Sequence, residues 1–206
     1  MSELYITVEN TASAEFEEKK SRFIGHIAHV TTEEEAAAFI KAKQKEFYDA
    51  RHNVFAYKLK GGLIARYSDD GEPTGTAGMP TLDAINKSNV EDVCIVVTRY
   101  FGGILLGASG LVRAYSKAAS LAIAAGNIVT YEEFTEFFLS CSYSDYQKVQ
   151  AEFVKYGVKV DNSDFSDSVF LNLAIKKDSV EPFFKRIAEI TSNRAAVNIT
   201  GSRLDK

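Results

Sequence analysis

The chain has 206 residues, of which 46% are hydrophobic and 25% are charged, and its formal net charge is −4 at pH 7. This is the composition of one or two soluble globular domains, and the acidic balance argues against a general nucleic-acid coat protein, which is usually basic. No run of about 18 apolar residues is present and the N-terminus resembles no signal peptide, so neither a membrane span nor secretion is expected.

The first half of the chain is predicted to alternate strands and helices. In chain order we expect strands at residues 4–9 and 14–30, a helix at 31–50, strands at 53–59 and 63–68, a helix at 79–88, a strand at 92–98 and a helix from about 109 to 125. The first helix has a threonine cap and three glutamates in its first turn, which suit the helix dipole. The strand at 92–98 is apolar on both faces, which predicts a central place in its sheet.

The second half has the element order β-α-β-β-α-β. The predicted elements are strands at 134–144, 158–165, 168–176 and 195–200, with helices at 145–156 and 179–190. Gly157 is expected to end the first of these helices. This order is the ferredoxin-like split motif, and it places a domain boundary near Thr130.

The two cysteines, Cys94 and Cys141, lie in apolar strand-like runs and have no CxxC spacing. This pattern is typical of buried, reduced thiols and predicts a cytoplasmic protein. A single long-range disulfide is the alternative.

The segment "VVTRYFGGILLGASGLVRAYSKAA", residues 96–119, has the pattern of a buried strand, a glycine-rich turn and a helix. Gly102 and Gly107 have the spacing of a Walker A loop, but Ala108 stands in place of its lysine, which excludes an NTPase loop. Glycines still let backbone N–H groups turn toward an anion at a helix N-terminus, where Ser109 is expected to cap. The predicted anion-binding turn comprises Tyr100, as a stacking surface, with Gly102, Gly103, Gly107 and Ser109.

Three cations accompany this turn. Arg99 ends the strand, and Arg113 and Lys117 lie four residues apart on one face of the helix. No acid occurs between Asp92 and Glu132, so the segment is locally cationic in an acidic protein. We interpret the three cations as a phosphate-binding cleft. The alternative is that the glycines serve close strand–helix packing and Arg99 pairs with a structural carboxylate.

A second turn-rich segment, residues 68–80, supplies three carboxylates that can form the other side of the cleft. They are expected to neutralise Arg99 or Arg66, or to hold Mg²⁺, although the ligand spacing of an EF-hand is absent. His52, next to Arg51, is the one candidate acid/base, and no histidine pair has zinc-like spacing. The candidate residues on this side are Arg51, His52, Asp69, Asp70 and Glu72, and no activated nucleophile is identified.

The segments "DDGEPTGTAGMP" and "VVTRYFGGILLGASGLVRAYSKAA" together resemble the signature of the IMPACT/YigZ family in its bacterial two-domain form. The signature core is an aliphatic pair, an arginine, two aromatic residues, two glycines and a further glycine. In this chain these are Val96-Val97, Arg99, Tyr100-Phe101, Gly102-Gly103 and Gly107. The resemblance covers roughly residues 18–125, and the second half resembles the small domain that follows the signature in bacterial members.

The resemblance implies an α+β protein of two domains. Residues 1–130 would form a β-α-β domain like elongation factor G domain IV and some ribosomal proteins. Residues 131–206 would form a ferredoxin-like domain. Family members are associated with translational control and with suspected nucleic-acid binding, and the family has no catalytic residues to transfer. Eukaryotic members regulate a stress kinase through an added N-terminal domain of the RWD type, which is not expected here, so that role is not implied.

We therefore predict a non-enzymatic, cytoplasmic binding protein that associates with RNA or the ribosome and regulates translation, without a cofactor, a bound metal or a membrane partner. Two alternatives remain. One is a small-molecule enzyme acting on a phosphorylated substrate, with a metal held by Asp69, Asp70 and Glu72 and with His52 moving a proton. The other is a protein-interaction adaptor without an anion site.

Overall fold

The computed structural model of the protein describes residues 4–59 and 61–206. Its strands are β1 (Tyr5–Val8), β2 (Ala12–Glu18), β3 (Ser21–His29), β4 (His52–Leu59), β5 (Ile64–Ser68), β6 (Val93–Tyr100), β7 (Ile128–Cys141), β8 (Lys159–Phe165), β9 (Val169–Lys176) and β10 (Ala196–Asp205). Its helices are α1 (Glu33–Glu46), α2 (Gly78–Lys87), α3 (Ala108–Ala125), α4 (Tyr143–Tyr156) and α5 (Val180–Thr191). The predicted α+β class is confirmed, because helices pack on antiparallel sheets. In the part of the chain that the structure describes, no helix is both long and apolar enough to cross a membrane.

The described residues divide into two compact units, one of residues 5–130 and one of residues 131–206 with Leu4. The first unit contains a sheet of order β2-β3-β6-β4-β5 in which every neighbouring pair is antiparallel. Helices α2 and α3 pack on one face of this sheet and α1 packs on the other. Strand β6 is central and buried on both faces, as its apolar sequence predicted.

Glycine at position 25 lets α3 approach the sheet closely. Gly25 lies on β3 opposite Ala14 and Val97, on the face that packs against α3. A Cβ at this position would overlap the carbonyl oxygen of Ala118 and lie 3.1 Å from the Cβ of Ala122. The missing side chain therefore sets the helix–sheet distance in the core of the first unit.

The N-terminus of α3 differs from the sequence prediction. The helix begins at Ala108 with Gly107 as its N-cap (φ 73°), and no side chain caps it, so the predicted cap by Ser109 is wrong. Gly126 has a right-handed conformation, and the left-handed residue that ends the helix is Asn127 (φ 59°). Gly126 instead serves close packing, because a Cβ there would lie 3.0 Å from the Cβ of Val8.

The second unit has the predicted order β-α-β-β-α-β, with strand order β10-β7-β9-β8 and antiparallel pairing throughout. Helices α4 and α5 share one apolar core with β7 and β9. Gly157 ends α4 in the left-handed conformation, as predicted.

Strand β1 belongs to the first unit, and the residues that follow it are hydrogen-bonded to the segment that follows α3. Strand β7 begins at Ile128, before the end of the first unit, so the chain passes between the units as a strand. The backbone N–H of Asn10 donates to the carbonyl of Gly126 (3.0 Å), which brings the chain after β1 beside the residues that lead into β7.

His26 is a buried titratable group of the first sheet, with 2% of its surface exposed. Its Nδ1 lies 2.7 Å from the hydroxyl of Ser13, and its Nε2 lies 3.4 Å from the hydroxyl of Thr98. Burial, assisted by the charge of Lys43, lowers the pKa of His26 to about 4. The imidazole is therefore neutral in the folded protein at neutral pH.

We expect the protein to lose stability as the pH falls from about 6.5 toward 4, because the unfolded chain binds a proton at His26 that the folded chain excludes. The stability that depends on neutral His26 is fully present above the pKa of this residue in the unfolded chain, and it is lost as the pH falls below that value. The expected decrease in the free energy of unfolding is about 1–2 kcal/mol between pH 7 and pH 5. Urea unfolding at several pH values measures it, and the H26N variant should show a smaller pH dependence. An equal dependence in both proteins would contradict the assignment.

Candidate functional site

The end of β6 and its two neighbouring strands place a set of charged residues around one cavity. Arg99 on β6 lies opposite His52 on β4 and opposite Phe23 on β3. The segment between β5 and α2 contributes Glu72, and the glycine-rich segment before α3 closes the other side. The cavity has a volume of about 390 Å³. We call it the Arg99 cavity, and its lining comprises Arg51, His52, Gly71, Glu72, Pro73, Arg99, Phe101, Leu105, Leu106, Gly107, Ala108 and Leu111.

Glu72 is a buried carboxylate that neutralises Arg99. Its Oε1 accepts hydrogen bonds from Nη1 of Arg99 (2.5 Å) and from the hydroxyl of Tyr115 (2.8 Å), and the Arg99 and Glu72 side chains are 6% and 4% exposed. Nε2 of His52 lies 3.8 Å from the same oxygen. Burial and the Glu72 charge raise the pKa of Tyr115 far above its ordinary value, so its hydroxyl stays a donor. The structural carboxylate that the sequence analysis considered for Arg99 is therefore Glu72.

Asp69 and Asp70 hold the backbone of the segment that carries Glu72. The Asp69 carboxylate accepts from the N–H groups of Gly75 (2.9 Å), Ala77 (3.0 Å) and Gly78 (2.8 Å). The Asp70 carboxylate accepts from the N–H of Asn53 (2.6 Å). Both acids are thus engaged by the backbone and do not face a common centre with Glu72.

The structure does not bring the carboxylates of Asp69, Asp70 and Glu72 together as a metal site. Among residues 4–59 and 61–206, no group of three or more His, Cys, Asp or Glu side chains is placed to hold a metal ion. The physical reason is that backbone N–H groups occupy the Asp69 and Asp70 carboxylates and that Arg99 occupies Glu72.

The glycines of the signature have different roles. Gly102 lies against the turn between β2 and β3, where a Cβ would lie 2.5 Å from the backbone nitrogen of Ser21 and would overlap the carbonyl of Lys20. Gly103 (φ 84°) and Gly107 (φ 73°) adopt left-handed backbone conformations that favour glycine, and a Cβ would meet no atom at either position. Close packing therefore explains Gly102, and backbone conformation explains the other two.

Arg113 and Lys117 lie on one face of α3, as predicted, but they line a second hollow and not the Arg99 cavity. This hollow has a volume of about 240 Å³. We call it the Lys117 hollow, and its lining comprises Phe16, Glu18, Lys19, Leu106, Gly110, Arg113, Ala114 and Lys117. Leu106 lines both the cavity and the hollow. The single cleft of the sequence analysis is thus two adjacent sites.

Sequence reasoning missed several residues of both sites. Phe16 on β2 and Lys19 in the turn that follows it join Arg113 and Lys117, and no sequence spacing links the two segments. The ring of Tyr115 lies in the apolar core of the first unit, and its hydroxyl reaches Glu72. Tyr100 lines neither site, because its hydroxyl donates to Asp49 (2.8 Å).

Taken together, the geometry defines a two-unit α+β protein whose first unit contains a glycine-rich strand–turn–helix segment with a buried Arg–Glu pair. Residues 19–123 match the Impact N-terminal domain, and residues 139–194 match a domain of unknown function, DUF1949. The chain belongs to the IMPACT family, as its signature indicated. Both thiols, Cys94 and Cys141, are free and buried, as predicted.

Similar proteins from bacteria and from the mouse support this assignment. The IMPACT family member YvyE of Bacillus subtilis is 34% identical over 94% of this chain and 89% of its own length. The IMPACT family member YigZ of Escherichia coli is 36% identical over 84% of this chain and 86% of its own length. A crystal structure described as that of a hypothetical protein has a TM-score of 0.61 and 33% identity over 96% of this chain and 97% of that one. Protein IMPACT of Mus musculus is 33% identical over 44% of this chain and 30% of its own length.

Proposed function

We propose that this protein is a non-enzymatic, cytoplasmic, translation-associated protein that contacts RNA phosphates through the Lys117 hollow. Membership of the IMPACT family agrees with a role in translation. The observation that carries the RNA contact is the grouping of Lys19, Arg113 and Lys117 around one hollow. None of these cations forms an ion pair with a carboxylate in the described part of the chain.

The charges around the hollow favour an anionic partner. Three cations face one carboxylate, Glu18, so the local field is positive although the protein is acidic. A cation–π contact holds the Lys117 ammonium 4.3 Å from the centre of the Phe16 ring, which places it at the hollow. The first turn of α3 contains no acid, in contrast to α1 with three glutamates, so its positive dipole end is not neutralised locally.

Arg99 is not included among the proposed phosphate contacts. Its guanidinium is buried and paired with Glu72, so moving it to an RNA phosphate would leave the buried Glu72 carboxylate uncompensated. The three proposed contacts are instead the exposed side chains of Lys19, Arg113 and Lys117.

The salt dependence of RNA binding tests the proposal. Three phosphate contacts on single-stranded RNA predict a slope of log K against log salt of about −2, at roughly −0.7 for each contact. The probe is a fluorescent oligouridylate, and its anisotropy is measured between about 20 and 200 mM salt, where such a slope is easily resolved. The R113A/K117A double variant should reduce the slope by about 1.4.

The matched control is the K41A/K45A double variant. Lys41 and Lys45 are also exposed and four residues apart, but they lie on α1, on the opposite face of the sheet. This control removes the same charge from the same unit and should leave the slope unchanged. No RNA affinity at low salt, or equal slopes for both variants, would reject the phosphate site and favour a protein-interaction adaptor.

A further inference from the structure

The Arg99 cavity is separate from the proposed RNA contacts and has the composition of a small-molecule site. Its volume of about 390 Å³ lies within the range usual for ligand pockets. Charged groups line one part of it, and apolar side chains line the rest. A ligand that satisfies both parts therefore needs a charged group and an apolar body.

The charged part favours an anion. Because Glu72 is neutralised by Arg99, the remaining basic groups at the cavity are Arg51 and His52. Arg51 is exposed and forms no ion pair with any carboxylate in the described residues. His52 binds the carbonyl of Asp70 through Nδ1 (2.7 Å), which makes Nδ1 the donor and fixes the ring in place.

Two further donors at the cavity lack acceptors. Nε of Arg99 is buried and has no hydrogen-bond partner, although the same guanidinium donates to Glu72 through Nη1. The N-terminus of α3 also lines the cavity at Gly107 and Ala108, and no side chain caps it. Unsatisfied donors of this kind are costly unless a ligand or water completes them.

The apolar part is unusually exposed. Leu105 is 82% exposed and Phe101 is 41% exposed, and both line the mouth of the cavity. Leu111 lies deeper and is buried. The ring of Phe101 stacks near the Arg99 guanidinium, whose carbon lies 5.6 Å from the ring centre, so the apolar and charged parts meet at one point.

We propose that the Arg99 cavity binds a small organic anion that has one acidic group on an apolar or aromatic body. The acidic group, a carboxylate or a phosphate monoester, accepts from Arg51, from Nε of Arg99 and from the first N–H groups of α3. The body covers Phe101 and Leu105. This ligand supplies the missing acceptors and removes exposed apolar surface from water at the same time.

Four probes test separately what the acidic group and the apolar body of the ligand contribute to binding. Phenyl phosphate and benzoate carry both an acidic group and an aromatic ring, whereas benzyl alcohol lacks the charge and inorganic phosphate lacks the ring. We expect at least one of the two aromatic acids to bind at up to about 5 mM, about tenfold more tightly than either incomplete probe. Titrations followed by ¹H–¹⁵N NMR should shift the amide signals of Gly107 and Ala108.

The L105E variant locates the site without disturbing the fold, because Leu105 is largely exposed. A carboxylate at the mouth should weaken binding of the aromatic acid by about tenfold or more through repulsion and lost apolar contact. The matched control is L63E, since Leu63 is 87% exposed and lines neither the cavity nor the hollow. This control should bind as the unmodified protein does.

Three results would overturn the proposal: no binding of either aromatic acid, equal binding of an incomplete probe, or equal binding by the L105E and L63E variants. These outcomes are independent of the RNA proposal. The R113A/K117A variant should bind the aromatic acid normally, and the L105E variant should keep the salt dependence of RNA binding. Each proposal can therefore fail while the other stands.

Discussion

Replacing Glu72 by alanine is expected to lower the free energy of unfolding by about 3–5 kcal/mol, because it leaves the Arg99 charge buried and unpaired. The carboxylate is the acceptor for both Arg99 and Tyr115, so the E72A variant also removes the partner of a buried hydroxyl. Equilibrium urea unfolding measures the change. The matched control is E34A, since Glu34 is an exposed acid on α1, where a change of about 0.5 kcal/mol or less is expected.

A double variant distinguishes a lost ion pair from general damage to the core. In the E72L/R99M protein both charges are absent, so no buried charge is left without a partner. We expect this double variant to be more stable than the E72A variant, because buried ion pairs can often be replaced by apolar residues at little cost. A loss of less than about 1 kcal/mol for E72A, or a double variant less stable than E72A, would contradict the role of the pair.

Replacing Gly25 by alanine should lower the free energy of unfolding by about 2–3 kcal/mol or more, because the added methyl group would overlap the backbone of α3. The nearest atom is the carbonyl oxygen of Ala118, which belongs to the main chain. Only a shift of the helix away from the sheet relieves the overlap, and such a shift opens the packing of the first core. Thermal and urea unfolding both report this loss.

Two further variants make this prediction specific. The A118G substitution should not rescue G25A, because it leaves the opposing carbonyl in place. The control is G201A, in which the new methyl group would meet only the flexible end of the Glu136 side chain, at 2.9 Å. Near-equal stability of G25A and G201A would show that the close approach of α3 to β3 is not required.

Local features of this fold could be predicted because their causes lie within a few residues. The cap of α1 depends on a hydrogen bond from the N–H of Glu35 to the Thr32 side chain, three residues before it. The acids in the first turn are favoured by the helix dipole. The end of α4 at Gly157 needs only a left-handed backbone. The central place of β6 follows from an apolar sequence that suits neither an edge nor a solvent-facing strand.

In the glycine-rich signature, the elements could be predicted from the sequence but the exact start of the helix could not. The sequence alone predicted the strand, the turn, the helix and the family, because these depend on short-range geometry and on residue identity. The N-cap was misplaced by two residues, since Ser109 has the right side chain but Gly107 has the backbone conformation that begins the helix. The preference of helix N-caps for serine could not decide between Ser109 and Gly107, because contacts with the neighbouring strands set the conformation of the turn.

Only the tertiary structure decided which charges meet. Along the chain, no acid occurs between Asp92 and Glu132, and Arg99 therefore looked available for a phosphate. In the folded protein Glu72, which is 27 residues away in sequence, reaches it and neutralises it. Lys19 joins Arg113 and Lys117 in the same way, across a sequence distance that no periodicity spans. Electrostatic interactions depend on distance in space, and sheet order and helix packing set that distance over the whole chain.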